Sequence, residues 1–126
     1  MKKGILVVSF GTSHLDTMEK TIDVIEKEIA EKFEGFRVYR AFTSGMIIRK
    51  LKRTENMEID TVTEALRRMA ADGIEDVIVQ PTHIINGIEN DRMMEDLMEN
   101  MLLFRRIRVG KPLLSSVRIT RNPSMR

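Results

Sequence analysis

A chain of 126 residues, 42% hydrophobic and 32% charged, has the size and balance of one soluble globular domain rather than a disordered segment. It holds no cysteine, which excludes a disulfide framework, a thiolate zinc site and a thiol nucleophile. The net charge of +2 hides a split: residues 105–126 carry seven of the 21 cations and no acid, leaving 21 − 7 = 14 cations against all 19 acids, or −5, in residues 1–104.

The chain opens with Lys2 and Lys3 before the apolar run Ile5–Val8, and Ser9, Gly11, Thr12 and His14 follow at once. That run is too short for the apolar core of a signal peptide, so it reads as a buried strand, Ile5–Phe10, of a cytoplasmic protein. No stretch approaches membrane-spanning length, and no membrane partner is expected. Gly11-Thr12-Ser13 turns the chain, and Ser13 with Asp16 fits the helix-start pattern of a capping box. Met18, Ile22, Ile25, Ile29 and Phe33 then form one stripe of an amphipathic helix that Gly35 closes.

Phe36–Phe42 reads as a second strand, followed by a turn and a short helix in "TSGMIIRKL", then a polar linker over 54–59. Thr61 and Glu64 form a second capping box ahead of the stripe Val62, Ala65, Leu66 and Met69, and Gly73 ends that helix. Val77–Val79 is the centre of a third strand. A helix from about Glu89 to Phe104 carries Met93, Met94, Leu97, Met98 and Met101, whose spacing predicts core filling rather than a cofactor surface. Ile107–Val109 predicts a fourth strand. Strands alternating with helices predict an α/β fold, an open parallel four-stranded sheet with helices on both faces and right-handed crossovers.

Open parallel sheets bind ligands beyond the carboxyl ends of their strands. The segments predicted there supply Ser9, Phe10, Gly11, Thr12 and Ser13 after the first strand, Thr43, Ser44 and Met46 after the second, and His83, Asn86, Gly87 and Glu89 after the third. Two of these loops run into helix N-termini, whose free N–H groups favour an anion. The bland reading of each is a cap or a strand-end bond, and Arg49, Lys50, Lys52 and Arg53 read as a solvated helix face. His83 and Glu89 together offer an imidazole and a carboxylate, able to ligate a divalent transition metal weakly or to accept protons. The basic segment after Phe104 contains no aromatic residue and no recognition motif, so no nucleic-acid partner is expected.

The stretches "ILVVSFGTS" (Ile5–Ser13), "AFTSGMIIRKL" (Ala41–Leu51), "HIINGIE" (His83–Glu89) and "GKPLLSS" (Gly110–Ser116) resemble the anaerobic cobalt chelatases, the sirohydrochlorin cobaltochelatases of the early-cobalt route to vitamin B12. The resemblance covers residues 1–116 and implies a chelatase-like fold. It also implies insertion of Co2+, or of Ni2+ or Fe2+, as substrate into a tetrapyrrole ringed with carboxylates, with no permanently bound cofactor. It assigns Glu89 as the active-site carboxylate, with His83 assisting, and the polar loops above as the substrate cradle.

Family members are about twice this length, with metal-ligating histidines in a second half that begins near a Gly-His-Gly motif. This chain has no such motif, so the resemblance is to the N-terminal half and predicts an incomplete active site. Such a half is inactive alone or works as a homodimer; a flavodoxin-like module binding a small anion without catalysis is the alternative. Residues 117–126 depart from the family pattern. Codons chosen for them and read from the third base give Glu-Asp-Tyr-Glu-Glu-Ser-Val-Asp-Glu, which makes a one-base shift near Val117 an explanation of the aberrant basic tail.

Overall fold

The computed structural model describes residues 2–82 and 87–110, with the backbone alone for 87–90. In chain order it contains β1 (Lys2–Ser9), α1 (Leu15–Lys20), α2 (Ile22–Lys32), β2 (Phe36–Phe42), α3 (Gly45–Glu55), α4 (Val62–Ala71), β3 (Ile74–Pro81), α5 (Gly87–Asn100), a 3-10 turn (Met101–Leu103) and β4 (Arg106–Val109). The four strands form one parallel sheet in the order β2-β1-β3-β4. The chain travels one way from β1 to β2 and the other way from β2 to β3 to β4. Crossovers of a single hand therefore put the helices on opposite faces.

The core follows this layering. Successive β1 side chains alternate between faces: Ile5 and Val7 pack with Ile29 of α2, while Leu6 and Val8 pack with Val62, Ala65, Leu66 and Met69 of α4 and Met93 and Leu97 of α5. Covered on both sides, β1 is buried from Gly4 to Ser9, which is why its sequence is a continuous apolar run. Each fully buried Leu, Ile or Val contributes about 1.5–3 kcal/mol. A third cluster of Met18, Ile22, Phe42 and Leu51 joins α1, α2 and α3 at the carboxyl end of β2. Gly4 allows close packing: a Cβ there would meet the Met69 methyl at 2.7 Å.

Three expectations need correction. Ser13 does not cap the first helix: His14 occupies the N-cap position without a side-chain bond, and its N–H donates to Thr12 Oγ1 at 3.1 Å. That helix is also two pieces, broken at Thr21, whose hydroxyl donates to the Thr17 carbonyl at 2.6 Å; such back-bonding bends helices. The methionine stripe of α5 is only partly core. Met93 and Leu97 are buried, while Met94, Met98 and Met101 are exposed, and the α-helix ends at Asn100. There Asn100 Nδ2 donates to the Asp96 carbonyl at 2.7 Å, and the chain tightens into a 3-10 turn.

Charges bind the layers. Arg40 of β2 donates from Nε to Glu26 Oε2 at 2.7 Å and from its terminal nitrogens to Glu26 and Asp23, tying the sheet to α2. On β3, Asp76 is buried and accepts from Arg106 and Arg108 of β4 at 3.1–3.2 Å. Burial opposes the charge of Asp76, but the two guanidiniums outweigh it and hold the carboxyl below its ordinary pKa. Tyr39 donates its hydroxyl to Asp72 Oδ2 at 2.7 Å. Burial first, then that bond, pushes the phenol up to about 12.

Candidate functional site at the carboxyl end of the sheet

The loops after β1 and β2 meet at the carboxyl end of the sheet. The Thr43 N–H donates to the Ser9 carbonyl at 2.8 Å, and the Ser44 N–H donates to the Phe10 carbonyl at 3.1 Å. Ser44 then caps α3, its hydroxyl accepting from the Ile47 N–H at 3.3 Å. The loop after β3 joins through Thr82, whose N–H donates to the Val8 carbonyl at 3.0 Å. Buried Ser9 Oγ and Thr82 Oγ1 lie 2.8 Å apart as a hydrogen-bonded pair. One rim thus links the ends of three neighbouring strands, β2, β1 and β3.

Gly11 makes the close approach of these loops possible. Its φ is +111°, and a Cβ there would stand 2.6 Å from the ring of fully buried Phe42, so a larger residue meets both backbone strain and a clash. Thr43 is the outlier of the rim. Its buried Oγ1 has no hydrogen-bond partner among the described residues, a condition that costs about 1–3 kcal/mol.

Two depressions flank the rim. One, of about 240 Å³, lies on the α1–α2 side and is lined by Ser9, Gly11, Thr12 and Thr82 with Thr17, Thr21, Ile22 and Ile25. The other, of about 140 Å³, lies on the α4–α5 side beneath Thr43 and is lined by Phe42, Thr61, Val62, Arg92, Met93 and Asp96. A larger hollow of about 370 Å³ between α3 and α4 is walled by Lys52, Glu58, Asp60, Glu64 and Arg68. Much of its charge is already paired, Arg68 with Asp60 at 2.7 Å and Lys52 with Glu58 at 3.2 Å, and it includes none of the expected residues.

Of the residues expected from sequence, Ser9, Phe10, Thr43 and Ser44 are brought together by backbone bonds, and Gly11 and Thr12 line the same depression as Ser9. Phe10 is exposed beside them. Ser13 lies in the bend before α1, while Met46 is 74% exposed on the first turn of α3. His83 and Asn86 lie outside the described residues. Gly87 opens α5, and the side chain of Glu89 likewise lies outside the description. Among the described residues no three His, Asp or Glu side chains converge into a metal site, and no helix is long and apolar enough to cross a membrane. Sequence reasoning missed Thr82, Arg92 and Asp96. Thr82 carried a signal, since it directly follows β3 and immediately precedes the His83 motif.

This architecture has a counterpart among solved structures. A CbiX protein named for cobalamin (vitamin B12) biosynthesis, from Marinobacter aquaeolei VT8, superposes with a TM-score of 0.57 over 99% of this chain and 86% of its own, at 15% identity. At that identity the likeness defines the fold alone: a chelatase-like α/β domain with an open parallel sheet.

The family follows from sequence. The model of the Cobalt chelatase (CbiK) family matches residues 3–124, and the chain belongs to that family. It is 48% identical over 116 residues to a sirohydrochlorin cobaltochelatase of Salmonella typhimurium, covering 92% of this chain and 44% of the relative. It is 34% identical over 116 residues to the sirohydrochlorin cobaltochelatase CbiKC of Nitratidesulfovibrio vulgaris, covering 90% of this chain and 40% of that one. The chain therefore spans less than half the length of these curated relatives.

Proposed function

We propose that the chain is the tetrapyrrole-binding half of a sirohydrochlorin cobaltochelatase of cobalamin biosynthesis. The observation that carries this reading is the cross-linked hydroxyl rim, with the unpartnered Thr43 Oγ1, at the open end of the sheet in a chain of the cobalt chelatase family. Sirohydrochlorin is ringed with carboxylates, and the donors of Ser9–Ser13, Thr43–Met46 and Asn86–Gly87 other than the Thr43 and Ser44 N–H groups spent within the rim are the groups assigned to them.

Metal insertion replaces two pyrrole N–H bonds with two nitrogen–cobalt bonds and releases two protons. Glu89 is assigned as the acceptor that takes a proton from the ring, with His83 assisting and both serving as weak ligands to the incoming Co2+ substrate. What supports this is covalent continuity: both follow Thr82, which is hydrogen-bonded into the rim. Ni2+ and Fe2+ are the competing substrates to compare.

A second copy of the chain is proposed to close the cleft, in the cytoplasm, with neither nucleic acid nor membrane as partner.

The test of function mixes the purified chain with sirohydrochlorin and Co2+ and follows the absorbance change of metallation. Metallation that Glu89→Ala impairs at least tenfold supports the reading. Binding without insertion leaves a tetrapyrrole-holding half that needs its missing partner. No tetrapyrrole binding favours the small-anion module.

A further inference from the structure

The cavity of about 140 Å³ at Thr43 is lined by both apolar and polar residues. Phe42, Val62 and Met93 are buried and give it an apolar wall. Its polar groups are the Thr43 and Thr61 hydroxyls, the Arg92 guanidinium and the Asp96 carboxyl. Thr61 Oγ1 accepts from the Glu64 N–H at 3.2 Å in the capping box, which fixes its place and leaves its O–H able to donate. Thr43 Oγ1 is buried without a partner, and Arg92 makes no ion pair among the described residues, although Asp96 lies four residues on in the same helix. Burial pushes the Asp96 carboxyl up, which a hydrogen bond from Thr63 only partly offsets.

We infer that this cavity is a subsite for one aliphatic carboxylate arm of the ligand. The methylenes lie against Phe42, Val62 and Met93, and the carboxylate takes donors from Arg92 and the Thr43 hydroxyl. A buried hydroxyl without a partner beside an unpaired guanidinium is a donor set for a carboxylate, and the apolar wall suits a stem of about one or two methylenes. Asp96 sets the selectivity. Its charge opposes a second anion, so the subsite takes a single carboxylate and rejects a phosphate dianion. Arg92 and Asp96 are thus positioning residues with opposite effects on one ligand. The inference rests on the tetrapyrrole reading above, since that macrocycle presents such arms.

The experiment titrates metal-free sirohydrochlorin into the full chain and into Arg92→Gln, Arg92→Lys and Asp96→Asn, following the tetrapyrrole absorbance, with circular dichroism to verify each fold. Loss of the charge-assisted contact should weaken binding by about tenfold or more in Arg92→Gln, and by less in Arg92→Lys. Removal of the like charge should tighten it by about two- to fivefold in Asp96→Asn. A purely structural role for exposed Arg92 and half-buried Asp96 would not produce changes of opposite sign. Wild-type binding with all three variants unchanged overturns the subsite and leaves the tetrapyrrole reading standing. No wild-type binding overturns both.

Discussion

Toward the amino end of the sheet, Asp76 is clasped by Arg106 and Arg108, Tyr39 donates to Asp72, and Lys2 Nζ donates to the Asp72 carbonyl at 3.2 Å. At the carboxyl end, the Thr43 hydroxyl is buried without a partner among the described residues, and Gly11 holds φ +111° against the Phe42 ring. A fold whose polar groups were arranged for stability alone would satisfy both ends alike. The difference separates a buttress, where side-chain charges answer one another, from a rim, where a donor is left for something outside the chain. Unsatisfied buried groups gather where function requires them.

The contrast can be broken from either end. The largest effect is expected from Gly11→Val, which adds a side chain at positive φ against a buried aromatic ring. It should lower stability by about 3 kcal/mol or more, read as a fall in the denaturation midpoint. At the buttress, Asp76→Asn keeps the shape but removes the charge that two arginines meet, and should cost about 1–3 kcal/mol.

The same carboxylate sets an acid limit. Its folded pKa lies below its unfolded value, so its contribution is present above the unfolded value and is lost as pH falls through the folded one. Urea titrations at descending pH should show this loss in the wild type and not in Asp76→Asn.

Thr43→Val should separate the two ends most sharply. Replacing an unpartnered buried hydroxyl by a methyl should leave stability unchanged or raise it by about 1 kcal/mol, while weakening tetrapyrrole binding. A stability loss of the Asp76→Asn size would instead show the hydroxyl to be structural.

The smallest effect is spectroscopic. Tyr39 is the single tyrosine of the chain, so phenolate absorbance reports it alone. Its midpoint should fall at about 12 in the folded chain, and its contribution to stability should be present below the unfolded value near 10 and disappear as pH rises through 12. A folded midpoint near 10 would show the Asp72 bond to be absent.

Local chemistry made much of the fold legible. The Thr61–Glu64 capping box and the stripe Val62, Ala65, Leu66 and Met69 lie where period and cap place them, and β2 has the predicted limits Phe36–Phe42. What failed depended on competition between nearby groups. Ser13 and Asp16 carry the letters of a capping box, yet Thr12 takes the His14 N–H and the helix starts later. Methionine spacing predicted core along α5, but only one side of that helix faces the sheet.

The candidate site was legible as loops and not as contacts. Parallel topology implied that the segments after the strands share an edge, whereas the Ser9–Thr82 pair spans 73 residues of sequence and has no periodic signature. The placement of Arg92 and Asp96 beside Thr43 likewise arises from packing α5 against α4, which no local pattern encodes.

Mapping a metal-free sirohydrochlorin titration onto the backbone amides by NMR would confront the two ends of the sheet directly. The account predicts shifts in residues 9–13, 43–46 and Thr82, with the amides around Asp72 and Arg106–Arg108 unmoved. Shifts confined to that opposite end, or none at any tetrapyrrole concentration, would contradict it.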